Sequence, residues 1–192
     1  MGAPRMRPGG RSRVVTDRVL SATAELLAAE GYAALNFQDI AKTAGVSRTT
    51  MYRRWPNCAA LALDAITAAV TERIHVPDTG SLATDLAGLL RQIADFITSP
   101  LGTAALAAGL EMESAEGPSA RTTFWTRRLG EVAPIFERAR ARGEVSDGFD
   151  TEAALAMAAG AVYYRLQVTG GEVDAQWIDR VVGMLDTGRS PA

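Results

Sequence analysis

The sequence predicts an all-α protein, with a small N-terminal head of three helices and a larger helical body, about nine to ten helices in all. Three observations predict it. Alanine and leucine dominate while β-branched runs are scarce, a composition that favours helices. No stretch alternates apolar and polar residues as a half-buried strand would, and no unit repeats at a fixed period. Apolar residues instead recur at helical spacing between glycine, proline and capping residues.

At 192 residues the chain has room for a small domain plus a larger one. With 47% hydrophobic and 22% charged residues it is of ordinary globular composition. Cys58 is the single cysteine, so no intrachain disulfide forms and a reducing cytoplasm fits. The uncharged stretches Phe96–Leu110 and Ala153–Tyr164 fall short of the roughly 20 apolar residues that a membrane span requires. The basic N-terminus is followed by no apolar signal core. Charge is unevenly placed. Residues 1–57 hold nine Lys/Arg against four Asp/Glu, whereas residues 58–192 hold eleven against eighteen. A basic head on an acidic body points to a polyanionic partner for the head.

Residues 1–12, with two prolines, three glycines and three arginines, are expected to be a disordered basic tail. The head follows at 13–57 and the body at 58–192. A first helix is expected over Val14–Glu30, with Val15, Val19, Ala22 and Leu26 on one stripe and Gly31 as its stop. Asn36 caps a second helix, Phe37–Ala44, with Asp39 in the capping-box position. Gly45 ends that helix. Ser47 caps a third, Arg48–Trp55, which stops before Pro56. Asn57 caps a fourth, running to about His75. The body then reads as helices over 81–98, 101–109, 111–116, 119–142, 151–168 and 174–187, bounded by Pro100, Gly117–Pro118, Gly143 and Gly170–Gly171.

Two short helices joined by Ala-Gly-Val-Ser, the second one capped, form a helix-turn-helix. In that unit the second helix enters the DNA major groove with its N-terminal residues first. The side chains suit such a role. Arg48 suits bidentate bonding to guanine, and Thr49 and Thr50 offer hydroxyls and methyls. Tyr52, Arg53 and Arg54 suit phosphate oxygens, and so does Ser47 at the helix start. Gln38 reaches adenine or phosphate from the second helix. Asn57 opens the fourth helix, whose free N–H groups attract another phosphate. Met51 and Trp55 are expected to face inward. A solvated helical face is the competing reading of the same residues.

The segment FQDIAKTAGVSRTTMYRRWPNCAALALDAI closely resembles the DNA-binding head of the TetR/AcrR family of bacterial transcriptional regulators. Ile40, Ala41, Ala44, Gly45, Val46, Ser47, Met51, Tyr52, Trp55 and Asn57 fill the places of the family pattern, over about residues 14–66. The later segment AGAVYYRLQVTGGEVD is similar to the body of one subgroup. The resemblance implies a DNA-binding regulator that reads a palindromic operator as a homodimer. It implies repression relieved by a small-molecule effector. One position departs: where the family usually has a phosphate-binding lysine after the helix-four cap, this chain has Cys58.

The run AALAMAAGAVYY is apolar around the full helical circumference, so one side needs a partner beyond its own core. Ala154, Ala158 and Ala161 are small enough for close helix approach. The resemblance implies a dimer interface from this helix and the long one before it, with Leu129, Val132 and Phe136 in the partner stripe. For an effector pocket in the body the candidates are Ile66, Val70, His75, Leu90, Phe96, Leu110, Met112, Glu113, Phe124, Trp125 and Tyr163. His75 is the single histidine and has no ligand company, so no metal is expected, and no cofactor fingerprint occurs.

An enzyme is the first alternative. Cys58 and His75 stand 17 residues apart on one expected helix, hence about 25 Å apart, too far to cooperate. The second alternative is a regulator of the same fold that responds to a protein partner or acts as an activator. The residues leave that alternative open.

Overall fold

The computed structural model describes residues 9–116 and 119–185; the side chains of 9–11, 110–116, 119–121 and 123 lie outside the description. Among the described residues there are nine α-helices and no strand. They are α1 (Gly9–Glu30), α2 (Phe37–Ala44), α3 (Arg48–Arg54), α4 (Cys58–Arg73), α5 (Leu82–Thr98), α6 (Pro100–Glu116), α7 (Ser119–Ala141), α8 (Thr151–Tyr163) and α9 (Ala175–Gly183). A 3₁₀ turn, Tyr32–Ala34, precedes α2, and a π-helical turn, Tyr164–Val168, extends α8. None of the described helices is long and apolar enough to cross a membrane.

Two elements differ from the expectation. α1 begins at Gly9, so residues 9–12 belong to the helix and not to a disordered tail. Within this first turn the Ser12 carbonyl accepts Thr16 Oγ1 at 2.8 Å and Arg54 Nη1 at 3.1 Å. α6 runs unbroken through Gly109, where two short helices were expected. One glycine costs a helix only about 1 kcal/mol against alanine, too little to interrupt an alanine-rich segment.

The chain forms two compact units. The first holds α1, α2, α3, α4 up to Ala69, and α6. Here α1 packs against α2 and α6, and α2 against α3. The core contains Val19 and Ala22 of α1, Phe37, Ile40, Ala41 and Ala44 of α2, Met51, Trp55 and Leu61. Thr23 is buried on α1 but donates its hydroxyl to Val19 O at 2.8 Å, which removes the cost of an unpaired polar group.

The second unit holds the end of α4 from Val70, α5, α7, α8 and α9. α5 packs against α8 and α9, and its buried residues include Leu82, Leu86, Leu89, Leu90 and Ile97. A charged cluster closes the loop between α4 and α5. Asp85 is fully buried, and its Oδ1 accepts both the N–H and the hydroxyl of Thr79 at 2.7 Å. Arg138 of α7 lies 3.9 Å from Asp85 Oδ2 and 3.1 Å from Asp78 Oδ1, and it donates to Pro77 O. Burying a carboxylate is costly; Thr79 satisfies Oδ1, while the buried Oδ2 has the Arg138 charge nearby but no hydrogen-bond donor.

Candidate nucleic-acid interface

Local chemistry fixes each end of the helix pair. Asn36 caps α2: its Oδ1 accepts Gln38 N at 3.1 Å and Asp39 N at 3.0 Å. Asp39 does not reach back to a backbone N–H as in a full capping box; its Oδ2 accepts Asn36 Nδ2 at 2.7 Å. At the other end Gly45 adopts φ 63°, ψ 43°, a left-handed conformation that glycine takes without steric cost. Val46 N then donates to Ala41 O at 3.0 Å, which closes the turn. Ser47 caps α3 by accepting Thr50 N at 3.3 Å, and the two hydroxyls lie 2.9 Å apart.

Within α3, Met51 is fully buried and Trp55, the residue after the helix, is nearly so. These two residues sit four apart and so share the inward face. Arg48, Thr49, Tyr52 and Arg53 are all exposed, and none is acidic. Thr49 and Arg53 lie opposite Met51, and Arg48 and Tyr52 flank the buried stripe. Tyr52 is 57% exposed, yet its ring stands edge-on to Phe37 with centroids 4.8 Å apart, so the phenol projects outward from a fixed ring. Gln38 is exposed at the start of α2. Asn57 Oδ1 accepts Ala60 N at 2.8 Å and thereby caps α4. Cys58 follows, half-buried; burial pushes its thiol above the ordinary value, partly countered by a backbone hydrogen bond with Phe37.

Arg54 is placed differently from its neighbours. Its guanidinium turns back to α1, with Nη1 on Ser12 O and Nη2 on Ser12 Oγ, both at 3.1 Å. Arg18 of α1 was not singled out from the sequence. Its Nη2 donates to Ala44 O and, at 3.2 Å, to Gly45 O. No periodicity or motif marks Arg18, because its partners lie 26 and 27 residues away.

A short helix pair of this geometry, with a basic and aromatic outer face on its second helix, matches a known family over the same residues. Residues 19–65 match the description "Bacterial regulatory proteins, tetR family", and residues 76–185 match "Tetracyclin repressor-like, C-terminal domain". The chain belongs to the TetR family. As a TetR-family protein it is a helix-turn-helix transcriptional regulator. It is 32% identical over 185 residues to the uncharacterized HTH-type transcriptional regulator YdeS of Bacillus subtilis, covering 95% of this chain and 92% of that one. It is 31% identical over 170 residues to the DNA-binding transcriptional repressor TetR of Mycobacteroides abscessus, covering 85% and 87%. Among solved structures it is similar to the TetR family transcription regulator SCO0332, with 32% identity, a TM-score of 0.76, and coverage of 92% and 99%.

The other candidate residues of this TetR-family chain fall into distinct environments. Ile66, Val70 and Leu90 are buried. Phe96 is half-buried. His75 is exposed, its N–H donating to Gln92 Oε1 at 2.7 Å and its carbonyl accepting Gln92 Nε2 at 3.1 Å. Phe124 and Trp125 pack edge-to-face with centroids 5.1 Å apart. Tyr163 is half-buried; burial raises its phenol pKa, with the Arg128 charge opposing. The side chains of Leu110, Met112 and Glu113 lie outside the described residues.

Of the residues expected at a dimer interface, Val132, Phe136, Ala154 and Ala158 are buried within the chain. Leu129 and Ala161 are half-buried. A helix apolar on every side does not reveal which side its own core takes, and here the core takes the stripe of Ala154, Ala158 and Val162. The face left outward carries Met157 at 65% exposure and Tyr164 at 60%, with Val168 at 68% one turn on.

Proposed function

We propose that this protein is a cytoplasmic repressor that binds a palindromic operator as a homodimer and is released by a small-molecule effector. The observation that carries the reading is the outer face of α3. Arg48, Thr49, Tyr52 and Arg53 are exposed together on a helix anchored from behind by Met51 and Trp55. Arg48 at the first turn reads guanine edges, and Thr49 meets a thymine methyl or a phosphate. Tyr52 and Arg53, with Gln38, Ser47, Thr50 and the α4 start at Asn57, hold the backbone. The repressor reading is further supported by the similarity to a protein named a DNA-binding transcriptional repressor.

A homodimer supplies two such helices about 34–36 Å apart, one helical turn of DNA. The outward apolar face of α8, with Met157 and Tyr164, supports that assembly, because an exposed apolar face of this kind marks a contact surface. An effector acts by binding one arrangement of the dimer better than another, a coupling of about 1–3 kcal/mol.

The test is selection of duplexes from a random pool by the purified full-length chain, followed by salt-dependent titration of the enriched duplex. A palindromic consensus, bound with steep salt dependence and weakened at least tenfold by Arg48→Ala, is the expected result. Binding indifferent to sequence and to Arg48→Ala overturns the reading. Activation of a reporter by the same protein would overturn only the repressor part.

A further inference from the structure

We infer that Arg18 and Arg54 are positioning residues that tie the turn before α3 and the last residue of α3 to α1, and so set the angle at which the reading face is presented. The inference rests on the DNA-reading role proposed for α3.

α3 has seven residues, far fewer than a helix needs to be stable alone, so its attitude comes from what holds it. Met51 and Trp55 anchor it along a buried stripe, with the Tyr52 ring against Phe37 and the Trp55 indole on Asp64 beside it. The two arginines act off the stripe, at opposite ends. Before α3, Arg18 bridges the carbonyls of Ala44 and Gly45. The last carbonyls of a helix lack intrahelical partners, so a cation there satisfies them and complements the helix dipole. Ser47, which caps α3, follows two residues later. At the end of α3, Arg54 grips the carbonyl and hydroxyl of Ser12. Ser12 and Arg18 are six residues apart on α1, about 9 Å of helix rise, which matches a strap over a two-turn helix.

Gly45 completes the arrangement. A Cβ built there would lie 2.6 Å from Arg18 Nη2, so the guanidinium occupies the space that glycine leaves open. Both arginines are also candidates for direct phosphate contact. The two roles differ in salt dependence, because a lost phosphate contact lowers the slope of log affinity against log salt by about one and a lost strap does not.

The test compares the full-length wild type with Arg18→Met, Arg54→Met and Ser12→Ala on the enriched duplex and a scrambled one, across salt, with thermal midpoints. The expected result is a loss of about tenfold in discrimination for each arginine variant, with wild-type salt slope, scrambled-duplex affinity and midpoint. Ser12→Ala removes half of the Arg54 grip without removing a cation, and it should lose a few-fold in discrimination. A slope reduced by about one per arginine, a loss that merely follows the midpoint, or an indifferent Ser12→Ala overturns the inference. Amide exchange at Val46 to Thr50 gives a readout independent of DNA. Arg18→Met should accelerate it, and unchanged exchange rejects the strap even if the wild type enriches no duplex, which would be the failure of the DNA-reading proposal itself.

Discussion

The Trp55 indole Nε1 donates to the Asp64 carboxylate at 2.8 Å. Trp55 ends α3 and Asp64 lies in the second turn of α4, so one bond joins the helix that faces outward to the helix that leaves the head. The ring is buried while Asp64 is exposed, so the bond sits at the edge of the core. Asp64→Leu should cost about 0.5–1.5 kcal/mol, the net worth of one such hydrogen bond. Urea unfolding followed by helical circular dichroism measures it. An unchanged midpoint would show that water replaces the carboxylate.

Gly45→Ala combines two penalties. The left-handed backbone strains an L-residue by about 1–2 kcal/mol. The new methyl group also meets Arg18 Nη2 and displaces it from the turn. Stability should fall by about that strain, while discrimination between enriched and scrambled duplexes falls further than the stability loss explains. Loss of stability with full discrimination would separate the turn from the reading of sequence.

Cys58→Lys should restore one cation at the start of α4. The resemblance to the family places a phosphate-binding lysine there. Added affinity and a salt slope steeper by about one are expected. A lysine at a helix N-terminus opposes the dipole, at about 0.3–1 kcal/mol, so stability should drop slightly while binding tightens. A slope equal to the wild type's would mean that no phosphate approaches α4.

Glu131 should make the second unit sensitive to acid. Burial raises its carboxyl, but hydrogen bonds and charge from Arg127 and Arg128 more than reverse this, so its pKa lies below the ordinary 4.5. A pKa lower in the folded than in the unfolded state gives stability that is full above 4.5 and fades as pH falls through the folded value. Urea midpoints measured downward from neutral pH should therefore decline less steeply in Glu131→Gln than in the wild type. Parallel declines would exclude Glu131 as a source of the acid response.

Met157→Arg tests the outward face of α8. Met157 contributes little to the chain's own core, so the fold should survive the change. Light scattering should then report a shift from dimer to monomer, with affinity for a palindromic duplex falling by at least tenfold. A variant that remains dimeric would move the interface elsewhere.

Most of the helical plan was legible because it rests on local chemistry. Asn36, Ser47 and Asn57 each accept the backbone N–H that a cap predicts, and Gly31, Gly45, Gly143 and Gly170 adopt positive φ near helix ends. The shared inward face of Met51 and Trp55 and the outward places of Thr49 and Arg53 follow from helical period; Arg48 is exposed although period alone puts it beside the buried stripe. Continuity through Gly109 was not legible, since a mild propensity penalty does not say whether packing overrides it.

By itself the sequence determined the all-α class, the turn at Gly45 and the face of α3, because each depends on residues within a few positions of one another. Only the tertiary structure decided which stripe of α8 is used internally, that α6 packs on α1, and that Arg18 and Arg54 grip partners in other helices. The two arginine grips join groups from 26 to 42 residues apart. Side-chain bonds of that reach carry no periodic signal; they exist only once the chain has folded and set their donors against their acceptors.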